Sequence, residues 1–226
     1  MRINKYMAQE GLCTRREADH YIEQGLVFIN GKRAKLGSQV QEGDKVETRL
    51  PRQQYRYYAY NKPKGVVTHS PAEGQKGITD IAGLSGVSPM GRLDKASHGL
   101  IILTDDGRVT EKLLGPDAER EKEYVVQTKE HLPPSFKARM EKGVDIEGYM
   151  TKPAKVKMLN DTKFSIILTE GKKHQIRRMC AAWGYTIADL KRVRVMNIRL
   201  DTLQAGQYRN ITGLELKEFL KNLGLV

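Results

Sequence analysis

Cysteine is nearly absent. The 226 residues hold two, Cys13 and Cys180, far apart and outside any Cys-x-x-Cys spacing, so neither a disulfide framework nor a thiolate zinc site is supported. The five histidines are scattered singly, and no metal is expected. No apolar run approaches the ~20 residues that a membrane span needs. Met1-Arg2-Ile3-Asn4-Lys5 opens no signal-peptide hydrophobic segment, so a cytoplasmic protein without membrane contact is expected. Also missing are a glycine-rich phosphate fingerprint and any Ser–His or Cys–His pairing in a recognisable context, which leaves common cofactor and triad chemistries without support. Acidic charge is scarce too: 27 Asp and Glu face 39 Lys and Arg, for a net charge of +12 and a pI near 9.6. A chain with that imbalance usually meets a polyanion, and nucleic acid leads the candidates.

The length suits one large domain and one small one. Residues 1–48 read as the small one. Asn4 to Gln9 is compatible with a helix, and Thr14 with Glu17 three residues on has capping-box spacing for a second helix, Arg15 to Gln24. Arg15 and Arg16 lie in its first turn, where cations oppose the helix dipole, so something besides helix stability wants them there. Val27-Phe28-Ile29 is a strand, Asn30-Gly31 a tight turn leading to Lys32-Arg33, and Val40 with Lys45-Val46-Glu47 supplies closing strands. With Arg2 and Lys5, these exposed cations make an RNA-binding surface the expectation. Residues 49–56 are polar and read as a linker. Residues 57–226 form the larger domain: a β-prone Tyr57 to Tyr60, a turn at Asn61-Lys62-Pro63-Lys64-Gly65, and a long Gly/Ser/Pro-rich loop from Pro71 to Pro89 with a short helix at 78–82. A helix from Ser135 to Met140 and a strand from Phe164 to Thr169 follow.

The central stretch is Gly91-Arg92-Leu93-Asp94-Lys95-Ala96-Ser97-His98-Gly99, running into the apolar strand Leu100 to Thr104 and the turn Asp105-Asp106-Gly107. Asp106 is placed to cap a helix from Arg108. One carboxylate, Asp94, stands between two cations in a glycine-bounded loop. By itself the pattern fits a carboxylate neutralised by its neighbours as well as one held ready for chemistry. Further on, Ile176, Met179, Cys180 and Trp183 recur at helical spacing, an apolar stripe expected to face a core. From Gly171 to Leu200 there are eight Lys or Arg and one acid, Asp189, a plausible footprint for phosphates. Val193 to Leu200 alternates as a strand with one basic face. Thr212-Gly213-Leu214-Glu215 reads as a capping box for a packing helix with Leu216, Phe219, Leu220 and Leu223 on one side.

The blocks Thr14-Arg15-Arg16-Glu17-Ala18 and Val27-Phe28-Ile29-Asn30-Gly31 resemble the alpha-L, S4-like RNA-binding motif. Gly91-Arg92-Leu93-Asp94, Leu103-Thr104-Asp105-Asp106-Gly107, Lys122-Glu123-Tyr124 and Gly171-Lys172-Lys173-His174-Gln175-Ile176-Arg177-Arg178-Met179 resemble, in order, the motifs of the RsuA/RluB/RluE/RluF family of ribosomal RNA pseudouridine synthases. Asn61-Lys62-Pro63-Lys64-Gly65 fits as well, and the Arg194-Val195-Met196-Asn197 block looks more like the RluF branch, which acts on large-subunit rRNA. Ser97 stands where Thr is usual and Asp105 where Asn is common.

The resemblance implies an α+β fold: a small S4-like domain plus a catalytic domain whose mixed, mostly antiparallel sheet is flanked by helices. It implies an isomerase that converts a specific uridine of ribosomal RNA, in a loop or bulge, without a cofactor. Asp94 would be the catalytic carboxylate, Tyr124 the aromatic that stacks on the target uracil, and Arg177 the cation paired with Asp94. Leu190 would line the pocket, and Arg92 and Lys95 would hold the nucleotide or backbone. Phosphate contact is expected of Lys172, Lys173, Arg178, Lys191 and Arg192. A tRNA or small-subunit rRNA target, or an RNA-binding ribosome-assembly protein without catalysis, are the alternatives, and a monomer is expected.

Overall fold

A computed structural model describes residues 1–51, 54–69, 77–115 and 118–226. At the N-terminus α1 (Ile3–Gln9) packs on α2 (Arg15–Glu23). The expected capping box starts α2: Thr14 Oγ1 accepts from the Glu17 amide at 3.2 Å, and the Glu17 carboxylate accepts from the Thr14 amide at 2.7 Å. Ala18, Tyr21 and Ile22 form the buried stripe of α2 and meet Ile3, Met7 and Val27. Strands β1 (Val27–Ile29), β2 (Lys32–Arg33) and β3 (Val46–Thr48) form a sheet in the order β2-β1-β3. Val40, expected in a closing strand, instead fills this core from a loop.

The larger sheet contains β4 (Tyr57–Lys62), β5 (Ser88–Met90), β6 (His98–Thr104), β7 (Lys122–Thr128), β8 (Lys155–Met158), β9 (Lys163–Leu168), β10 (Ile187–Val195), β11 (Ile198–Arg199) and β12 (Tyr208–Asn210). Its main path is β12-β4-β6-β10-β7-β9-β8, with β5 on β6 and β11 on β10. Every pairing is antiparallel except β6 with β10, where His98 faces Lys191 and Gly99 faces Arg192. Helices α3 (Ile78–Ala82), α4 (Arg108–Leu114), α5 (Ser135–Glu141), α6 (Gln175–Ala181) and α7 (Gly213–Asn222) flank it.

The continuous apolar run of β6 is explained by cover on both faces, which removes the need for polar alternation. Leu100 and Ile102 meet Phe219 and Leu223 on one side, while Ile101 and Leu103 meet Ile78, Leu84 and Leu93 on the other. A third cluster joins β7 and β9 to α5 and α6 through Phe136, Phe164, Met179 and Cys180. Both thiols, Cys13 and Cys180, are buried, and burial pushes each up to about 12, so they are unreactive packing groups.

Several local expectations are corrected. Trp183 is not in the core: α6 ends at Ala181, and the indole is 40 % exposed beneath the Arg139 guanidinium. Val193 to Leu200 is no single strand, because Met196 at φ 52 turns the chain between β10 and β11. Arg194 there is tied to Glu121 and Glu123. The capping box at Thr212 does not form, since Glu215 pairs with Arg209. Asp106 accepts from the Arg108 amide but is fully buried, holding the Arg108 side chain and the Tyr57 hydroxyl. Of the long loop from Pro71, residues 71–76 lie outside the described residues, while the helix within it is α3.

Candidate active site

The backbone of residues 92–97 carries Asp94 between β5 and β6, and each of its six carbonyls is bonded. Arg92 O accepts from Arg192 Nη1 at 3.4 Å, Leu93 O from Thr68 Oγ1 at 2.7 Å, and Asp94 O from the Ser97 amide at 2.9 Å. Lys95 O accepts from the Gly65 amide at 2.8 Å, Ala96 O from Arg177 Nη2 at 3.4 Å, and Ser97 O from Lys62 Nζ at 2.8 Å. An irregular segment with every acceptor satisfied has little freedom to reorganise. Three of the donors, Lys62, Arg177 and Arg192, are cations, yet none of the three hydrogen-bonds the carboxylate.

Asp94 itself keeps a side chain 37 % exposed, with His174 Nε2 at 3.3 Å from Oδ1. The pairing expected between Arg177 and Asp94 is therefore not the one observed. Arg177 does reach the loop, but it bonds Ala96 O and, at 3.2 Å, Ser97 Oγ. Its position in the first turn of α6 brings it to Ala96 and Ser97, and His174, the residue before α6, takes the place at the carboxylate.

Asp94 opens onto a cleft of about 940 Å³ lined also by Arg92, Lys95, Tyr124, Lys172, Lys173 and Leu190. The sequence-predicted catalytic and pocket residues thus converge here, except that Arg177, bonded to Ala96 O and Ser97 Oγ, is not among the residues lining the cleft. Leu190 is buried on β10, and Tyr124 lies half-buried on β7 between two apolar clusters. Among the described residues three carboxylates line the cleft: Asp94, Glu119 and Glu170. The latter two are occupied, Glu119 by Lys152 at 2.6 Å and Glu170 by the Tyr149 hydroxyl at 2.6 Å and Gln175 Nε2 at 2.7 Å. Two lysines here are desolvated. Lys62 is fully buried, and burial lowers its ammonium to about 8 against the pull of Asp94. Lys122, which lines the cleft, is lowered to about 8 by burial and by the nearby Arg192.

The expected phosphate contacts divide. Arg2, Lys5, Arg15, Arg16, Lys32 and Arg33 are exposed on the N-terminal module, as are Lys95, Lys172 and Lys173 at the cleft. Arg192 is only 3 % exposed and is held by the framework, its Nε donating to Leu100 O at 2.7 Å and its Nη1 to Arg92 O at 3.4 Å, although it also lines the cleft. Arg178 is engaged with Ile146 O and Glu147 at 2.8 and 2.7 Å, away from the cleft lining. Lys191 is half-buried in β10. The sequence reading missed Lys62, Thr68 and the Lys64–Asp189–His98 cluster, where both Lys64 and His98 pair with one carboxylate. These contacts join residues tens of positions apart, and no local spacing signals them.

A small helix-and-strand module thus precedes a mixed sheet that presents a carboxylate, on a fastened loop, to a cleft rich in Lys and Arg. Residues 56–182 match the family model described as RNA pseudouridylate synthase, and residues 1–46 match the S4 domain. The dual-specificity RNA pseudouridine synthase RluF of Escherichia coli (strain K12) is 43 % identical over 98 % of this chain and 79 % of its own length. The ribosomal large subunit pseudouridine synthase B of Bacillus subtilis (strain 168) is 33 % identical over 96 % of this chain and 94 % of its own. A crystal structure of a pseudouridylate synthase superimposes with a TM-score of 0.71 at 29 % identity, covering 99 % of both chains. The chain belongs to the RNA pseudouridylate synthase family, with an S4 domain at its N-terminus.

Proposed function

We propose that this pseudouridine synthase isomerises a specific uridine of large-subunit ribosomal RNA, with Asp94 as the reacting carboxylate. What supports the reading most is the loop at 92–97, bonded at every carbonyl, which delivers an accessible carboxylate to a cleft rich in Lys and Arg. The similarity to a relative named for the ribosomal large subunit favours the RNA class. The target uridine leaves its stack to enter the cleft, which costs a few kcal/mol and favours loops or bulges. Asp94 breaks the bond between uracil nitrogen 1 and ribose carbon 1′, either by attack on that carbon or by taking the proton from its neighbour. The uracil, stacked on Tyr124, turns while held. Its carbon 5 then bonds the same ribose carbon and releases a proton, nitrogen 1 gains one, and no atom is lost overall. Arg177 supports the Asp94 loop from behind, and Leu190 gives the base an apolar wall.

In this reading residues 1–48 grip folded RNA, residues 49–56 link, and residues 57–226 catalyse in the cytoplasm as a monomer; residues 52 and 53 of the linker lie outside the described residues. A second target class is favoured by one observation, the dual specificity in the name of the relative at 43 % identity. Mapping pseudouridine across all cellular RNA with and without the gene tests both. The proposal expects at least one large-subunit rRNA position to vanish with the gene. Loss confined to tRNA or small-subunit rRNA overturns it.

A further inference from the structure

Three features of residues 170–175 converge on His174. First, its Nε2 is 3.3 Å from Asp94 Oδ1, whereas Arg177 bonds the loop backbone and Ser97. Second, His174 is a non-glycine residue in the left-handed region, at φ 52 and ψ 28, directly before α6. Glycine or asparagine would adopt that backbone with less strain, and strain of this kind is typically kept where the side chain has a task. Third, the segment is braced. Glu170 Oε1 accepts from Gln175 Nε2 at 2.7 Å and from the Lys152 amide at 2.9 Å. Its Oε2 accepts from the Tyr149 hydroxyl at 2.6 Å, and Gln175 Oε1 accepts from the Lys172 amide at 2.9 Å. The left-handed turn sends the Gln175 side chain into this buried network and leaves the His174 side chain at the cleft.

We propose that His174 is a positioning residue for Asp94: with its Nε2 facing Oδ1 at 3.3 Å, the imidazole restricts the carboxylate rotamer and leaves Oδ2 to meet the ribose. Among the described residues no other side chain holds that carboxylate. A freely rotating carboxylate on a half-exposed side chain would spend much of its time misdirected, and an ångström of misplacement costs on the order of 10²-fold in rate. Neighbouring cations on the same segment, Lys172 and Lys173, cannot substitute in this role: Lys172 lies over the Tyr149 ring, and Lys173 has an exposed, flexible stem. The inference rests on the reading of Asp94 as the reacting group.

The experiment compares His174→Gly, His174→Ala and His174→Gln with the native enzyme in single-turnover conversion of a ribosomal RNA fragment and in RNA affinity. Glycine relieves the left-handed strain, so that variant stays folded even if alanine does not. The expected result is a fall of about 10- to 100-fold in single-turnover rate for Gly and Ala, with affinity within about twofold. Glutamine, which keeps a donor at similar reach, should recover the rate to within about threefold. Gly and Gln variants that both match the native rate overturn the inference, as does a loss seen only in affinity, or a Gln variant no better than Gly. Asp94→Asn is run alongside. If it retains native activity, the Asp94 reading itself fails; if it is inactive while the His174 variants are normal, only the His174 inference fails.

Discussion

Lys62 Nζ donates to the carbonyl of Ser97 at 2.8 Å, joining the end of β4 to the loop that carries Asp94. A second bond, to Pro63 O at 3.0 Å, completes the environment of a fully buried ammonium. Lys62→Met should leave Ser97 O unsatisfied and lower the single-turnover rate by about 10-fold or more through loss of loop geometry. Its stability effect depends on pH with a defined sign. Burial lowers Lys62 to about 8 from 10.5, so between those values the folded protein has released a proton that the unfolded chain still holds. Native stability gains from this group as pH rises through that window, by an amount on the order of 2–3 kcal/mol. Denaturant unfolding of native protein and variant at pH 7.5 and pH 10 should show the gap between them widening in favour of the native at pH 10. A constant gap would contradict the assignment.

Asp189 holds Lys64 and His98 together where β10 meets β6. Burial pushes its carboxyl up, but the bonds from Lys64 and His98 outweigh that and leave it below its ordinary value. Its contribution is therefore present above the unfolded value and fades as pH falls through the lower folded one. Asp189→Asn should cost less than about 1 kcal/mol near pH 6, since the group is partly exposed and screened, and progressively less as pH falls below the ordinary carboxylate value. Hydrogen exchange at the Gly65 amide, bonded to Lys95 O, should quicken in the variant at pH 6. Unchanged protection there would show that the cluster does not hold the turn.

Gly99 permits the close approach of β6 and β10. Its φ is +104, and a Cβ would lie 2.2 Å from Arg192 O. Backbone cannot yield as a flexible side chain does, so Gly99→Ala should cost about 3 kcal/mol or more. A thermal midpoint within a degree or two of native would contradict the parallel register.

Much of this fold was legible locally. Thr14 and Glu17 announced α2, the run through Leu100 to Leu103 announced a buried strand, and 3.6-residue spacing announced α6 and α7. The motif residues Asp94, Tyr124 and Leu190 were expected at one site, and all three line the cleft. Three kinds of feature escaped. Arg192 carries the same charge whether it meets RNA or, as here, is buried against Leu100 O, and sequence composition does not separate these cases. The exchange of Arg177 for His174 at Asp94 depends on one left-handed residue, which the sequence Lys172-Lys173-His174-Gln175 does not mark. Trp183 fitted the helical stripe, but α6 stopped before it.

Lys122 is placed at the cleft wall where its charge could affect RNA binding. Burial and Arg192 lower it to about 8 at the cleft wall, so it is largely charged at pH 7 and largely neutral at pH 9. Affinity for single-stranded rRNA fragments should therefore fall over that range, and the slope of log affinity against log salt should become shallower by about 0.7, one phosphate contact. Lys122→Met should show the shallower slope at both pH values. Equal pH dependence in variant and native would remove Lys122 from the RNA-binding surface.

The proposed role of the accessible Asp94 carboxylate in the isomerisation is open to direct test. The direct measurement is single-turnover pseudouridine formation in ribosomal RNA by purified Asp94→Ala, with RNA affinity and thermal midpoint measured on the same preparation. The expected result is no detectable pseudouridine, an affinity within about threefold of native and an unchanged midpoint, because the loop is held by its carbonyls and not by this side chain. Pseudouridine formed by the variant at a rate near the native one would contradict it.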